Sequence, residues 1–173
     1  MLTLTNRLRA AKATSGRSGF SLVELVVVMT ILTIIAGIAL PRFTQFKEKA
    51  QDGRRISDLV QIEKALEAYF VENGSYPTTG GAWRGEAPHH GALGYDANGY
   101  IPGLVPDYMK ELPRDPHPEY PTGNRGYLYK SNGTDYKFLA HNTPTNFPTD
   151  HRFLDTLRQT WAYQVSSEGG VNW

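Results

Sequence analysis

The most regular pattern in the chain is an apolar stretch near the amino end. Residues 20–40 carry a single charge, Glu24, and residues 25–40 carry none. About 20 apolar residues are enough for a helix to cross the hydrocarbon core of a bilayer. The pattern therefore predicts a transmembrane helix over residues 20–41.

A second helical pattern follows immediately. Over residues 42–74, apolar side chains recur at steps of three and four, as is typical of an amphipathic helix. Gly74 stands where helices commonly end, and Pro77 cannot continue a helix. Two helices broken at Pro41 and one long helix kinked there both fit the pattern. The apolar positions are Phe43, Phe46, Ala50, Ile56, Leu59, Ile62, Leu66, Tyr69 and Phe70.

Residues 75–173 hold most of the prolines and tyrosines, and their pattern predicts loops and short strands. Residues 75–122 are rich in turn signals and are predicted as loops. Two alternating segments, residues 127–130 and 136–141, flank a Ser-Asn-Gly-Thr-Asp turn and predict a β-hairpin. Packing around a thin sheet is the favoured use of the tyrosines.

Two further elements complete the predicted fold. A third strand is expected over residues 161–165, and a short helix is expected after Asp150. That helix would carry Phe153, Leu154 and Leu157. The elements together predict an α+β fold, with a long kinked amino-terminal helix and a small antiparallel sheet packed on its second half.

The amino-terminal 19 residues have a different character. They contain Arg7, Arg9, Lys12 and Arg17 and no acidic residue. Such a segment is typical of a leader, and its positive charge predicts that the amino end stays in the cytoplasm while the rest is exported. A cut before Leu40, after small residues at Gly37 and Ala39, is the ordinary signal-peptide alternative.

Composition excludes several function classes. Eighteen basic and 17 acidic residues give a formal charge of +1. Because no basic tract follows Phe20, there is no electrostatic case for nucleic acid. The absence of cysteine excludes disulfides, cysteine–zinc sites and cysteine nucleophiles.

Other candidate chemistry is sparse. The five histidines lack the spacing of a hydrolytic zinc site, and neither a phosphate loop nor a nucleophile elbow is present. We therefore expect no enzyme and no metal site, although a membrane-anchored periplasmic enzyme or binding module is the alternative class. Asp135, Asp150 and Asp155 could join main-chain carbonyls around calcium, but capping or solvated roles are more common.

Glu24 admits two interpretations. Ser21 and Glu24 have the spacing of a capping box, and a negative charge suits the first turn of a helix. Alternatively, Glu24 awaits a partner from another subunit. If the chain is cut before Phe20, the new terminal amine is a cation that could pair with a neighbour's carboxylate, and such a pair would select the register of assembly.

The string Gly19-Phe-Ser-Leu-Val-Glu-Leu, after a basic leader, resembles the processing signature of type IV prepilins and type II secretion pseudopilins. Pro41 matches the proline of that family's long helix. The resemblance implies that a prepilin peptidase cuts between Gly19 and Phe20 and methylates the Phe20 amine. It also implies that Phe20, Glu24 and Pro41 serve subunit assembly.

A weaker resemblance to major pseudopilins covers residues 66–77, 100–108 and 112–116. Those proteins usually carry a calcium-binding loop rich in glycine and aspartate near the carboxy end, whereas residues 161–173 here hold few carboxylates. No cofactor is therefore expected, with calcium left open.

The resemblance implies a structural subunit that polymerises through its apolar helix into a type IV pilus or a type II secretion pseudopilus. Which filament it forms is left open. The implied partners are copies of itself, minor pilins or pseudopilins, the prepilin peptidase and an inner-membrane assembly platform. The implied location is the inner membrane, followed by the periplasm or the cell surface.

Overall fold

The structure is a computed structural model that describes residues 19–86, 99–145, 152–159 and 161–173. Only the backbone is described for Leu40 and Pro41. Apart from Gly19, the predicted leader lies outside the described residues. The chain divides into two compact units, residues 1–41 and 42–173.

One helix, α1, runs from Leu22 to Asn73 and belongs to both units. Its assignment continues through Pro41, which confirms the prediction of one long helix rather than two. The residue after the helix, Gly74, adopts the left-handed conformation with φ of 69°. Glycine adopts this conformation without the penalty of a Cβ atom, so the predicted stop is confirmed.

Four antiparallel strands form one sheet in the order β1-β2-β3-β4. They are β1 (Arg84–Gly85), β2 (Gly126–Ser131), β3 (Tyr136–His141) and β4 (Ala162–Ser166). Strands β2 and β3 form the predicted hairpin, with Tyr129 opposite Phe138. In its turn, the Asn132 side chain accepts hydrogen bonds from the amides of Thr134 and Asp135.

The third predicted strand is confirmed as β4, which pairs Val165 with Phe138. The two-residue strand β1 was not predicted, because two residues give no periodicity. A Cβ atom at Gly85 would collide with the main chain of Tyr127 and Leu128. The absence of a side chain at Gly85 is therefore what lets β1 approach β2.

The predicted short helix is wrong over residues 152–159, and Asp150 lies outside the described residues. The segment forms turns and an isolated antiparallel bridge between Leu154 and Tyr163. The amide of Gln164 donates to the Phe153 carbonyl at 2.6 Å, and that of Asp155 donates to the Ala162 carbonyl at 3.2 Å. Bonding to β4 thus replaces the local bonds that a helix needs.

The core of residues 42–173 lies between the second half of α1 and one face of the sheet. From the helix come Leu59, Ile62, Ala65 and Leu66, all buried. The sheet contributes mainly aromatic side chains, which confirms the predicted packing role of the tyrosines and the α+β fold class. These sheet residues are Tyr127, Tyr129, Tyr136, Phe138, Ala140, Tyr163 and Val165.

The predicted apolar stripe is buried only in part. Phe43 and Phe46 remain 72% and 69% exposed, and Ala50 is exposed as well. Burial begins with Ile56 and Leu59, where the sheet and loops cover the helix. The first two turns of the stripe, from Phe43 to Ala50, are therefore not covered by the sheet or the loops.

Candidate assembly site

The first part of α1 presents its apolar side chains to the outside. Every described side chain from Leu22 to Ala39 is exposed, although the segment consists largely of valine, leucine and isoleucine. By length and composition alone, the helix includes a stretch that could cross a membrane. Contiguous apolar surface of this extent is typical of a surface that is covered by a partner or by lipid.

The predicted cleavage point lies just before the helix. Gly19 and Phe20 are outside regular secondary structure, and the Phe20 side chain is 86% exposed. A Cβ atom built on Gly19 meets nothing within 4 Å, and its φ is not in the left-handed region. The fold of the chain itself therefore does not require glycine at position 19.

The capping box predicted for Ser21 and Glu24 is formed within the single chain. The Ser21 amide donates to Oε2 of Glu24 at 2.8 Å, and the Glu24 amide donates to the Ser21 hydroxyl oxygen at 3.2 Å. Two amides at the start of the helix are thus satisfied reciprocally. Both residues are exposed, so this carboxylate can also be reached from outside the chain.

Residues 42–173 hold a buried ionic network that the sequence pattern does not predict. Arg55 on α1 is 1% exposed and makes a bidentate pair with Asp115, with both N–O distances at 2.7 Å. Arg55 also donates to Asp52 at 2.7 Å. Asp52 in turn accepts from the amide and hydroxyl of Thr145. The network joins the helix to two separate loops.

A second buried contact ties α1 to the sheet. The Tyr127 hydroxyl donates to Oδ2 of Asp58 at 2.7 Å. Burial raises the pKa of the Asp58 carboxyl, and the hydrogen bond from Tyr127 opposes that shift. Burial also raises the pKa of the Tyr127 phenol, and the neighbouring Asp58 charge adds to the rise. Charged and polar groups here fix the position of the helix against the sheet.

The sequence did contain a weak signal for the ionic network. Asp52 and Arg55 are one turn apart on α1, just before the buried stripe. Asp115 lies in the segment of residues 112–116 that resembles pseudopilins. Nothing in the linear pattern shows that residues 52 and 115 share a partner, because the loop that brings Asp115 to the helix has no periodicity.

Of the candidate calcium ligands, the two that the structure describes, Asp135 and Asp155, have different partners. Asp135 accepts hydrogen bonds from the Ser167 hydroxyl and the Gly169 amide, while Asp155 pairs with Lys137 and Arg158. Asp150 lies outside the described residues, as do His89, His90 and His151. Across the residues described, no group of three or more histidine, aspartate or glutamate side chains could hold a metal ion.

Residues 14–40 match the family model of the prokaryotic N-terminal methylation motif. The matched range contains Gly19, Phe20 and Glu24 and ends with the exposed apolar stretch. The resemblance to the type IV pilin-like family is thereby confirmed at the amino-terminal segment.

Curated relatives extend the likeness beyond that segment. The chain is 36% identical to type II secretion system core protein G of Aeromonas hydrophila over 89 residues, covering 47% of this chain and 54% of that protein. It is 37% identical to the Escherichia coli protein of the same name over 85 residues, covering 47% and 53%. For the Vibrio cholerae protein the identity is 36% over 105 residues, covering 61% and 58%.

The chain spans little more than half the length of the curated relatives that it matches. No solved structure matches it. The relatives' shared name is that of a secretion-system component, which fits the prediction of a non-catalytic protein.

Proposed function

We propose that this chain is a structural subunit of a type II secretion pseudopilus and polymerises through the first part of α1. The observation that carries the proposal is the overlap of the methylation motif with residues 22–39 of α1, whose apolar side chains are all exposed. The name shared by its relatives favours a pseudopilus over a pilus.

The exposed apolar stretch supports both an anchored state and an assembled state. In the membrane its side chains face lipid, and in a filament the same side chains face neighbouring helices. Because the lipid interior is about as apolar as a leucine side chain, the transfer changes little in hydrophobic free energy. Packing and polar contacts therefore decide whether subunits assemble, and repeated head-to-tail contacts that do not close generate a filament.

Processing supplies the polar contact. Cleavage between Gly19 and Phe20 creates a terminal amine at Phe20, and methylation leaves it basic. An ordinary α-amino group has a pKa of about 7.7–8.0, so the amine is mostly cationic at neutral pH. In a neighbour shifted along the filament axis, this cation meets the Glu24 carboxylate. The capping box holds that carboxylate at the start of the helix until the neighbour arrives.

The remaining assignments follow from the same proposal. A prepilin peptidase recognises residues 17–20, and an inner-membrane platform assembles the filament. The amino end stays cytoplasmic, and the head formed by residues 42–173 lies in the periplasm. Minor pseudopilins share the filament with copies of this chain.

The test compares Glu24→Gln with Ser21→Ala. Glutamine can still cap the helix, but it removes the charge that pairs with the neighbour's amine. Ser21→Ala breaks the capping box at a cost of about 0.5–2 kcal/mol and keeps the charge. We expect Glu24→Gln to be cleaved and inserted normally but to assemble poorly, since breaking a buried pair costs about 3–5 kcal/mol. We expect Ser21→Ala to assemble.

The two measurements are intact-mass analysis of each mature protein and the yield of filaments released from opened cells, counted by electron microscopy. The expected mature chain begins at N-methyl-Phe20. A chain that begins at Leu40 would identify an ordinary signal peptide and refute the proposal. If Glu24→Gln gave the wild-type filament yield, Glu24 would serve only to cap its own helix.

A further inference from the structure

A lysine is buried in strand β3 at the base of the segment formed by residues 167–173, here called the carboxy-terminal segment. The Lys137 side chain is fully buried, as is the carboxylate of Asp155 beside it. Four oxygen atoms surround the ammonium nitrogen of Lys137. They are Oδ1 and Oδ2 of Asp155 at 3.3 and 3.2 Å, and the main-chain oxygens of Val171 and Trp173 at 2.9 and 3.0 Å.

Arg158 also donates hydrogen bonds to two of the residues that surround the Lys137 ammonium. Its guanidinium donates to Oδ2 of Asp155 at 2.9 Å and to the Trp173 main-chain oxygen at 2.9 Å. Lys137 and Arg158 thus hold the carboxy-terminal segment from two sides. Burial lowers the pKa of the Lys137 ammonium, and the neighbouring Asp155 carboxylate opposes that shift. The oxygen atoms replace the water that the ammonium loses on burial.

Aromatic rings cover the cluster. The Trp173 ring lies under Lys130 at 4.7 Å, and the Arg158 guanidinium lies 5.6 Å from the Trp83 ring and 5.9 Å from the Trp161 ring. Cation–π attraction strengthens when the cation is shielded from water. The three tryptophans therefore lie around the charged groups of this region and partly exclude solvent from them.

These oxygens form a ligand set of the kind a hard cation prefers, but the residues do not fit calcium. Calcium takes six to eight oxygens, including charged carboxylates. Among the described residues, Asp155 is the one side-chain carboxylate that contacts Lys137 or Arg158, and it already faces both cations. A divalent ion added here would meet two cationic side chains and a single carboxylate side chain. Asp135 is engaged separately, with Ser167 and Gly169.

We propose that the Lys137 ammonium is a tethered cation that takes the part a calcium ion would play, fastening the carboxy-terminal segment to the sheet so that the head closes without metal. The main-chain oxygens of Val171 and Trp173 are the ligands that an external ion would otherwise bind. Because the cation is covalently part of β3, its local concentration does not depend on the medium. The proposal accounts for the small number of carboxylates in residues 161–173.

The experiment uses the full chain in detergent and measures the melting temperature, Tm, of the head by near-ultraviolet circular dichroism of its aromatic side chains. Wild-type Tm is expected to be the same in excess EGTA and in millimolar calcium. Lys137→Met should lower Tm by more than about 5 °C, because it leaves Asp155 buried without its ammonium partner. Lys110→Met removes the same charge at an exposed position and should leave Tm unchanged.

Hydrogen exchange locates the effect. In Lys137→Met, amides of residues 167–173 should exchange faster, while those of β2 keep their wild-type protection. Arg158→Met, which removes the less buried cation, should show a smaller change in the same segment and serves if Lys137→Met does not fold. A rise in wild-type Tm or in protection of residues 167–173 on adding calcium would overturn the proposal. Unchanged exchange in Arg158→Met and Lys137→Met would overturn it as well.

Discussion

Two stretches of the same helix have opposite surroundings. Residues 22–39 are the more apolar stretch, and all their described side chains are exposed. Residues 59–66 are mixed in composition, yet Leu59, Ile62 and Leu66 are fully buried beneath the sheet. Hydrophobicity alone therefore does not decide burial within this chain. What decides it is whether the chain supplies a covering layer, which it does for residues 59–66.

The polar groups of the two stretches differ in the same way. Near Glu24, the polar contacts are local and exposed, and they involve residues three apart. Around Arg55 and Asp58, the buried contacts include Arg55 with Asp115 and Asp58 with Tyr127, which join residues 60 and 69 apart. Local contacts leave the first stretch free to change partners, while long-range contacts fix the second. One stretch is suited to assembly and the other to folding.

Removing the exposed apolar stretch should abolish assembly and leave folding intact. A fragment of residues 44–173 keeps the core and the ionic network, so we expect a soluble, folded monomer with mixed helix and strand signal. It should form no filaments at all. Circular dichroism and size-exclusion chromatography check the fold, and electron microscopy checks assembly. Native-like filaments from this fragment would show that the apolar stretch is not the assembly surface.

A matched pair of leucines tests the comparison at single side chains. Leu59→Ala empties a buried site and should lower the unfolding free energy of the head by about 2–5 kcal/mol. Leu32, 54% exposed, should give no change on substitution by alanine but should reduce filament yield. Urea unfolding of the full chain in detergent, followed by near-ultraviolet circular dichroism, measures the unfolding free energy of both variants. Electron microscopy measures their filament yield. If both variants lost the same unfolding free energy, the two stretches would not differ in their contribution to folding.

The smallest expected effect concerns Asp58. Its pKa is raised in the folded head, so above the ordinary value of about 3.9 the folded state holds the proton more tightly than the unfolded state. The contribution of Asp58 to stability therefore falls as pH rises through that window. Asp58→Asn should remove this loss of stability with rising pH, because asparagine does not titrate, while its side-chain oxygen still accepts the Tyr127 hydrogen bond. Identical pH profiles for wild type and variant would contradict this assignment.

The sequence predicts those features that repeat along the chain or stay local. The apolar stretch, the helix end at Gly74, the hairpin turn at Ser131–Asp135 and the Ser21–Glu24 capping box all lie within short windows, and the structure has each of them. The short helix after Asp150 fails because main-chain bonds to β4 outcompete local ones.

The buried ion pairs of Lys137 and Arg55 could not be predicted for a related reason. Lys137 lies in an alternating strand, where a charged residue is expected to face solvent, but Asp155 and the return of residues 171–173 bury it. Arg55 finds Asp115 through a loop of irregular structure. Contacts between residues distant in sequence carry no local signal. Cleavage at Gly19, methylation of Phe20 and pairing through Glu24 stay predictions.

The Arg55 network has a mechanical consequence for the head. Sliding α1 by one turn, about 5.4 Å, would carry Arg55 away from Asp115 and Asp52 away from Thr145. Arg55 and Asp52 would move together, but the buried Asp115 carboxylate would lose its guanidinium partner, so no small displacement offers an easy intermediate. Force applied along this part of the helix is therefore passed to the loops rather than dissipated by slippage. Under axial shear, the helix and its two loops move as one block.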